Sequence, residues 1–276
     1  MAAGLTWSVR RVWADRHEDV NDQVVLEEPL SIVLNGIQIA ILMRMPGSEK
    51  ELAAGFCVSE GYVRAAQDIL LIHHCGSGHP VPGQETETGM DSRNRVQVHA
   101  RAESIIQRDQ PDVVRLIRSG CGAADVSALS EDISEVTSEL RVQATVLLEL
   151  PRKMRARQEI HNTIGGAHGA ALYTVTGRQV VLAEDIGRHN AVDKAVGNSL
   201  LRGLGLEDKV LITSGRASYE MVAKAIRLQI PIVASISAPT SLAVQIAQEK
   251  GLTLIGYLRG GRMNIYAHAQ RVLSTS

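Results

Sequence analysis

The stretch "KVLITSGRASYEMVAKAIRLQIPIVASISAPTSLAVQIAQEKGLTLIGYL", residues 209–258, decides the fold. Three short apolar runs, 209–213, 231–237 and 252–258, alternate with two helical patterns starting near Ser218 and Thr240. Apolar strands of this length with no polar alternation are buried on both faces. Strand–helix–strand connections of this kind cross over right-handed, which makes the strands parallel neighbours. Upstream, "AALYTVTGRQVVLAED" (170–185) reads as a hairpin and "GRHNAVDKAVGNSLLRG" (187–203) as a helix with Ala191, Ala195 and Leu200 inward. The expectation is an α/β domain with a mixed sheet and helices on both faces.

The remainder of the chain is organised differently. Residues 23–45 read as two strands around Asn35-Gly36, the strongest short hairpin signal. A helix over 46–63 follows, with Ser48 as N-cap and Glu51 at capping-box spacing. "HHCGSGHPVPGQETETG" (73–89) is loop-like, and "NRVQVHARAE" (94–103) alternates as a strand does. Residues 130–163 look largely helical, with Pro151 marking a start or break. The division expected is an N-terminal, mainly β, α+β part at 1–115, a cysteine loop at 116–130, and a connector plus α/β domain at 131–276.

Bulk properties narrow the function. The 276 residues carry a net charge of −1, and aromatic residues make up 3%. A near-neutral chain with few aromatic platforms is not a nucleic-acid binder that relies on charge and stacking. Three cysteines, Cys57, Cys75 and Cys121, form no disulfide framework. The N-terminus lacks an apolar signal core, and the longest apolar run, "IQIAILM" at 37–43, is too short to span a bilayer. A cytoplasmic protein without membrane insertion is expected.

The chemistry concentrates in a few places. Cys121 stands between glycines, just after Arg115 and Arg118. Cations and exposure favour the thiolate, which is the nucleophile, while Cys57 reads as a helix core thiol. The His73, His74, Cys75 and His79 group matches no closed zinc spacing, so no metal is assigned. The turns Ser214-Gly215-Arg216 and Ser237 to Thr240 each join a strand end to a helix start, where free N–H groups and the dipole attract anions. Both lie at the carboxyl edge of the sheet, where open α/β folds bind ligands. His168, Glu184, Asp185, Arg188, His189, Asn190, Asp193 and Lys194 add polar groups, and Arg259 and Arg262 flank a glycine pair suited to phosphate. Together they predict a pocket for a phosphorylated, nucleotide-bearing ligand.

The segments "MRMPGSEKELAAGF", "SEGYV", "SGCG", "EDIGRHNAVDK", "SGRASYE", "SAPTSLAV" and "GLTLIGYLRGGRMNIY" resemble the formate dehydrogenase accessory sulfurtransferases, the FdhD family, in order from about residue 24 to 270. The resemblance implies a homodimer with a cytidine-deaminase-like C-terminal domain. It also implies a sulfurtransferase that receives a persulfide sulfur from a cysteine desulfurase, on Cys121, and passes it to a molybdenum bis(molybdopterin guanine dinucleotide) cofactor for formate dehydrogenase. That cofactor is cargo, and GDP would mimic it. Its binding residues by position are Tyr257, Leu258, Arg259, Gly260, Gly261 and Arg262, with the pocket residues His168, Arg188, His189, Asn190, Asp193, Lys194, Ser214, Gly215, Arg216, Ser237 and Thr240 completing the set.

The chain departs from the family pattern at a second loop cysteine, where it has Ala124. It departs again at His161, Ile164 and Gly169, where the family tends to have Phe, Thr and Ala. Ala124 leaves open a second reading, a cofactor-binding chaperone without sulfur transfer. A zinc deaminase is excluded because neither His-x-Glu nor Pro-Cys-x-x-Cys occurs.

Overall fold

The computed structural model describes residues 3–74, 94–105 and 133–274. Cys75, His79, Arg115, Arg118, Cys121 and Ala124 lie outside the described residues.

The decisive stretch folds as its pattern requires. Strands β10 (Val210–Thr213), β11 (Ile232–Ser235) and β12 (Thr253–Arg259) pair in parallel, and the helices α5 (Tyr219–Arg227) and α6 (Ser241–Glu249) cross between them. β8 (His168–Tyr173) joins β10 antiparallel and carries its hairpin partner β9 (Gln179–Asp185). β13 (Arg262–Ala267) closes the other edge against β12, so the sheet is mixed, in the order β13-β12-β11-β10-β8-β9. The expectation of a mixed α/β sheet is met.

Alternate strand residues build two cores, one on each face of the sheet. Leu172, Leu211, Val233 and Leu254 face α5, α6 and α4 (Arg188–Leu201). Tyr173, Ile212, Ile232 and Ile255 face Leu147, Leu150 and Met154 of α2 (Ala144–Arg157). Pro151 does not start or break α2 but lies inside it. Its missing N–H removes the bond to the Leu147 carbonyl, and the buried stripe of Leu147, Leu150 and Met154 holds the helix against the sheet across that gap. Residues 133–141 are not helical as expected. Ile133 and Val136 enter the first core from an extended segment, and the Val136 N–H donates to the Lys250 carbonyl at 2.8 Å.

The N-terminal part is a ribbon and a sheet. Among the described residues, β1 (Gly4–Val12) pairs only with β2 (His17–Val25). β3 (Glu28–Leu34) and β4 (Ile37–Arg44) form the expected hairpin, with Asn35 at φ 45° in its turn. β5 (Ile69–His74) and β6 (Arg95–Ala100) complete a four-stranded sheet in the order β4-β3-β6-β5. Helix α1 (Glu49–Ser59) covers it with Leu52, Phe56 and Cys57.

The capping box expected at Ser48 is absent, because Ser48 takes a left-handed backbone (φ 59°) and makes no side-chain cap bond. The Glu49 carboxylate instead accepts the Gly47 N–H at 2.7 Å. On its other side α1 meets α4 in direct backbone contact. A Cβ on Gly55 would lie 1.9 Å from the Asp193 carbonyl oxygen, and one on Gly197 1.8 Å from that of Glu51.

Candidate functional site

The carboxyl ends of the three parallel strands are stitched into one rigid edge. Ser235 donates from Oγ to the Gly215 carbonyl at 2.7 Å and accepts the Ser237 N–H at 3.0 Å. Ala217 donates to the Ala238 carbonyl, Thr240 donates back to Ala217, and Tyr257 donates to Ser237. Thr240 caps α6 as expected, its Oγ1 accepting from the Ala243 N–H at 3.3 Å. Ser218 precedes α5 without a side-chain cap bond. Its hydroxyl instead meets His189 Nε2 at 3.3 Å.

Against this edge, between the strand ends and α2, lies a cleft of about 540 Å³. That volume is within the ordinary range of ligand sites, about 300–1,000 Å³. Ser214, Arg259, Gly260 and Gly261, all named from sequence, line it. Facing them are Arg152, Arg155 and Gln158, which the sequence reading did not assign to the site, and His161, one of the positions where the chain departs from the family pattern. Leu148, Pro151 and Ile236 add an apolar wall, and among the described residues no acidic side chain lines the cleft. Three guanidiniums without a carboxylate make it an anion site with a surface on which a flat ring can rest. The signal for the missed residues was "PRKMRARQEIH" (151–161), a basic run that an ordinary helix C-terminus explains equally well.

Two polar groups at this edge await partners. Gln158 is 3% exposed and its Nε2 has no hydrogen-bond partner among the described residues, while a Cβ on Gly169 would meet that atom at 2.5 Å. Glycine at 169 is therefore what lets the carboxamide lie where it does. Arg188 packs its side chain on Gly215, and its buried Nε also lacks a partner. Leaving such a donor unsatisfied costs on the order of 1–3 kcal/mol, which an anionic or polar ligand would recover.

The histidines are tuned by the same surroundings. His168 bonds through Nδ1 to Ser214 Oγ at 3.1 Å, and burial, then the Arg188 charge, lowers its pKa. Burial, followed by the charges of Arg188 and Lys224, pushes His189 down to about 4. Both are neutral near pH 7 and present hydrogen-bonding rings rather than charge. His161 Nδ1 contacts the Ala167 carbonyl at 3.0 Å. Glu184 closes the start of α3 (Glu159–Thr163), accepting the Ile160 and His161 N–H groups at 3.0 and 2.9 Å.

Other sequence-named residues lie elsewhere. Asn190, Asp193 and Lys194 are buried and spent within the protein. Lys194 pairs with Asp185 at 2.7 Å and donates to the Met45 carbonyl. Asn190 donates to the Met43 carbonyl and to Asp185. Asp193 accepts from Ser59 at 2.7 Å and from Lys224 at 2.6 Å. These bonds join the N-terminal sheet and α1 to the α/β part. Leu258 is core, whereas Arg216, Arg259 and Arg262 are exposed. Tyr257 takes a left-handed backbone (φ 52°), and Arg259 lies over its ring at 5.5 Å. Cys57 is fully buried and its thiol is pushed up to about 12, first by burial and then by Asp193. It is a core thiol, as its helix position implied.

The chain as a whole has counterparts among known proteins. The model of the FdhD/NarQ family matches residues 25–273, and the chain belongs to that family. Its relatives include the sulfur carrier protein FdhD of Streptomyces coelicolor, 44% identical over 91% of this chain and 89% of that one. That of Nocardia farcinica is 40% identical over 92% and 90%. A crystal structure from Desulfotalea psychrophila, described as a formate dehydrogenase accessory protein, superposes with a TM-score of 0.78. It is 25% identical over 98% of this chain and all of that one.

Proposed function

We propose that this protein is a sulfur carrier that takes a persulfide sulfur onto Cys121 from a cysteine desulfurase. It then passes the sulfur to a molybdenum bis(molybdopterin guanine dinucleotide) substrate that serves formate dehydrogenase. The observation that carries this reading is the acid-free cleft of Arg152, Arg155 and Arg259 beside Ser214 and the Gly260-Gly261 turn. It suits the guanosine diphosphate end of such a molecule, while the relatives' names support the sulfur-carrying and formate dehydrogenase parts of the reading. The assembly would be a homodimer, and GDP would occupy the cleft alone.

In the loading step the Cys121 thiolate attacks the outer sulfur of the donor's persulfide. The donor's S–S bond breaks and its cysteine leaves as thiolate. Release needs a second thiol to attack the inner sulfur, forming a disulfide and freeing sulfide. Cys57 does not fit that role, being buried with its thiol pushed up to about 12. With Ala124 in the second loop position, an external thiol fits it best.

The test is mass spectrometry after incubation with a desulfurase and cysteine. A gain of one sulfur on Cys121, lost in Cys121→Ala while GDP binding persists, is the expected result. An unmodified Cys121 in a protein that still binds GDP would favour the chaperone reading that Ala124 leaves open.

A further inference from the structure

The ribbon of β1 and β2 precedes the segment that places the chain in its family, which begins at residue 25. Its register puts Leu5 opposite Val24, Trp7 opposite Asp22, Val9 opposite Val20 and Arg11 opposite Glu18 on one face. Thr6, Ser8, Arg10, Asp19, Asn21 and Gln23 occupy the other. Over residues 5–9 and 20–24 the apolar side chains all fall on the first face, beside Asp22, and they are bare: Leu5 is 48% and Trp7 57% exposed. Two strands alone are marginally stable in water, and an apolar face of this kind calls for a cover. Its base is fixed, with Leu26 donating to the Ala3 carbonyl and Gly4 close against Ile164.

The charges say what kind of cover fits. Arg10 is paired with Asp19 at 2.8 Å, and Arg11 lies 3.7 Å from Glu18 and 3.6 Å from Asp22. Neutralised in this way, the ribbon has no charge to offer a nucleic acid or an anionic membrane. A second bare apolar stripe lies on the same chain, at the β4 edge of the four-stranded sheet, where Ile41 is 45% and Met43 50% exposed. An edge strand with exposed apolar residues is a template for pairing with another chain.

Size then favours exchange. A nine-residue ribbon spans about 30 Å by 10 Å, roughly 300 Å² of projected face, well short of the roughly 800 Å² per partner of a standard interface. Two copies that exchange ribbons each contribute one ribbon and one receiving strand, about 600 Å² per partner, which reaches the lower limit of specific interfaces.

We infer that the β1–β2 ribbon is a dimerisation arm, its Leu5–Trp7–Val9 face laid on the Ile41–Met43 stripe of a second copy and the exchange repeated about a twofold axis. This rests on the homodimer proposed above and names the surface that makes it. Sedimentation velocity at micromolar concentration tests it, with circular dichroism and GDP calorimetry as checks of folding. The expected result is a wild-type dimer whose dissociation constant rises at least 100-fold in both Trp7→Glu and Ile41→Glu. Ser8→Glu, on the polar face, should stay within twofold. Independently, hydrogen exchange on the wild-type protein should show β4 amides protected at high and not at low concentration. A wild-type dimer unaffected by Trp7→Glu or by Ile41→Glu overturns this arm and leaves the homodimer standing. A wild-type monomer that binds GDP overturns both.

Discussion

In "EDIGRHNAVDK" (184–194), Asp185 pairs with Lys194 and Asp193 with Lys224, all buried, and bonds to Met45 and Ser59 carry these groups across the junction between the N-terminal part and the α/β part. In "YLRGGRM" (257–263), Arg259 and Arg262 stand exposed around a glycine turn, and Arg259 opens on the cleft. As sequence the two segments look alike, each a cluster of charge broken by glycine. What separates them is the supply of partners from elsewhere in the chain. Ser59 and Lys224 reach Asp193, while the Met43 and Met45 carbonyls reach Asn190 and Lys194. The first segment is a clamp and the second a binding edge. Substitutions in the two should therefore fail in different ways.

The largest effect should come from the clamp. Asp193→Ala leaves the buried Lys224 ammonium with Glu60 and Ser59 Oγ, each 3.0 Å away, and without its closest carboxylate, and it removes the acceptor of Ser59. Breaking a buried pair from one side costs on the order of 3–5 kcal/mol. Denaturant titration should show that loss. GDP affinity, measured below the unfolding transition, should stay within a few-fold of wild type. A tenfold weaker affinity in the folded variant would move Asp193 from the clamp to the site.

The second effect concerns pH and rests on His189, in the first segment. Its folded pKa of about 4 lies below the value of about 6.5 expected in the unfolded chain. The unfolded state therefore binds more protons between these values, and stability rises with pH across the window. The contribution is fully present above about pH 6.5 and is lost as pH falls towards 4, amounting to on the order of 3 kcal/mol. His189→Gln should flatten the stability profile in that window, as read from urea midpoints at successive pH values. A profile unchanged by the substitution would show that this ring does not titrate there.

Much of the fold was legible because its signals are local. The apolar runs of β10 to β12, the Asn35-Gly36 turn and the Thr240 cap each declare themselves within a few residues. Half of the cleft was legible for the same reason, since glycine-rich strand ends mark a sheet edge. The other half was not. Arg152, Arg155 and Gln158 lie on a helix whose sequence shows only a basic C-terminal turn, and nothing local says that β8 and β12 will face it. Pro151 and the Ser48 cap misled because tertiary contacts, Leu147 and Met154 in one case and the left-handed backbone of Ser48 in the other, override local preference. The N-terminal ribbon escaped notice because its strands alternate weakly and carry charge on both faces.

The smallest effect in free energy sharpens the comparison most. Arg259 is exposed and lies over the Tyr257 ring, so reversing its charge should leave the unfolding midpoint nearly unchanged. At the cleft the same change places a carboxylate beside the phosphates of a nucleotide and removes one of three guanidiniums. Arg259→Glu should weaken GDP binding at least tenfold, on the order of 1.4 kcal/mol. Arg155→Ala, across the cleft, should weaken it in the same direction. Because the attraction is between exposed charges and a phosphate, the deficit of Arg259→Glu should shrink as salt is raised. Calorimetry at two ionic strengths reads both quantities. If GDP binds the variant as it binds the wild type, the anion is held elsewhere, and the unpartnered Arg188 on Gly215 becomes the next residue to reverse.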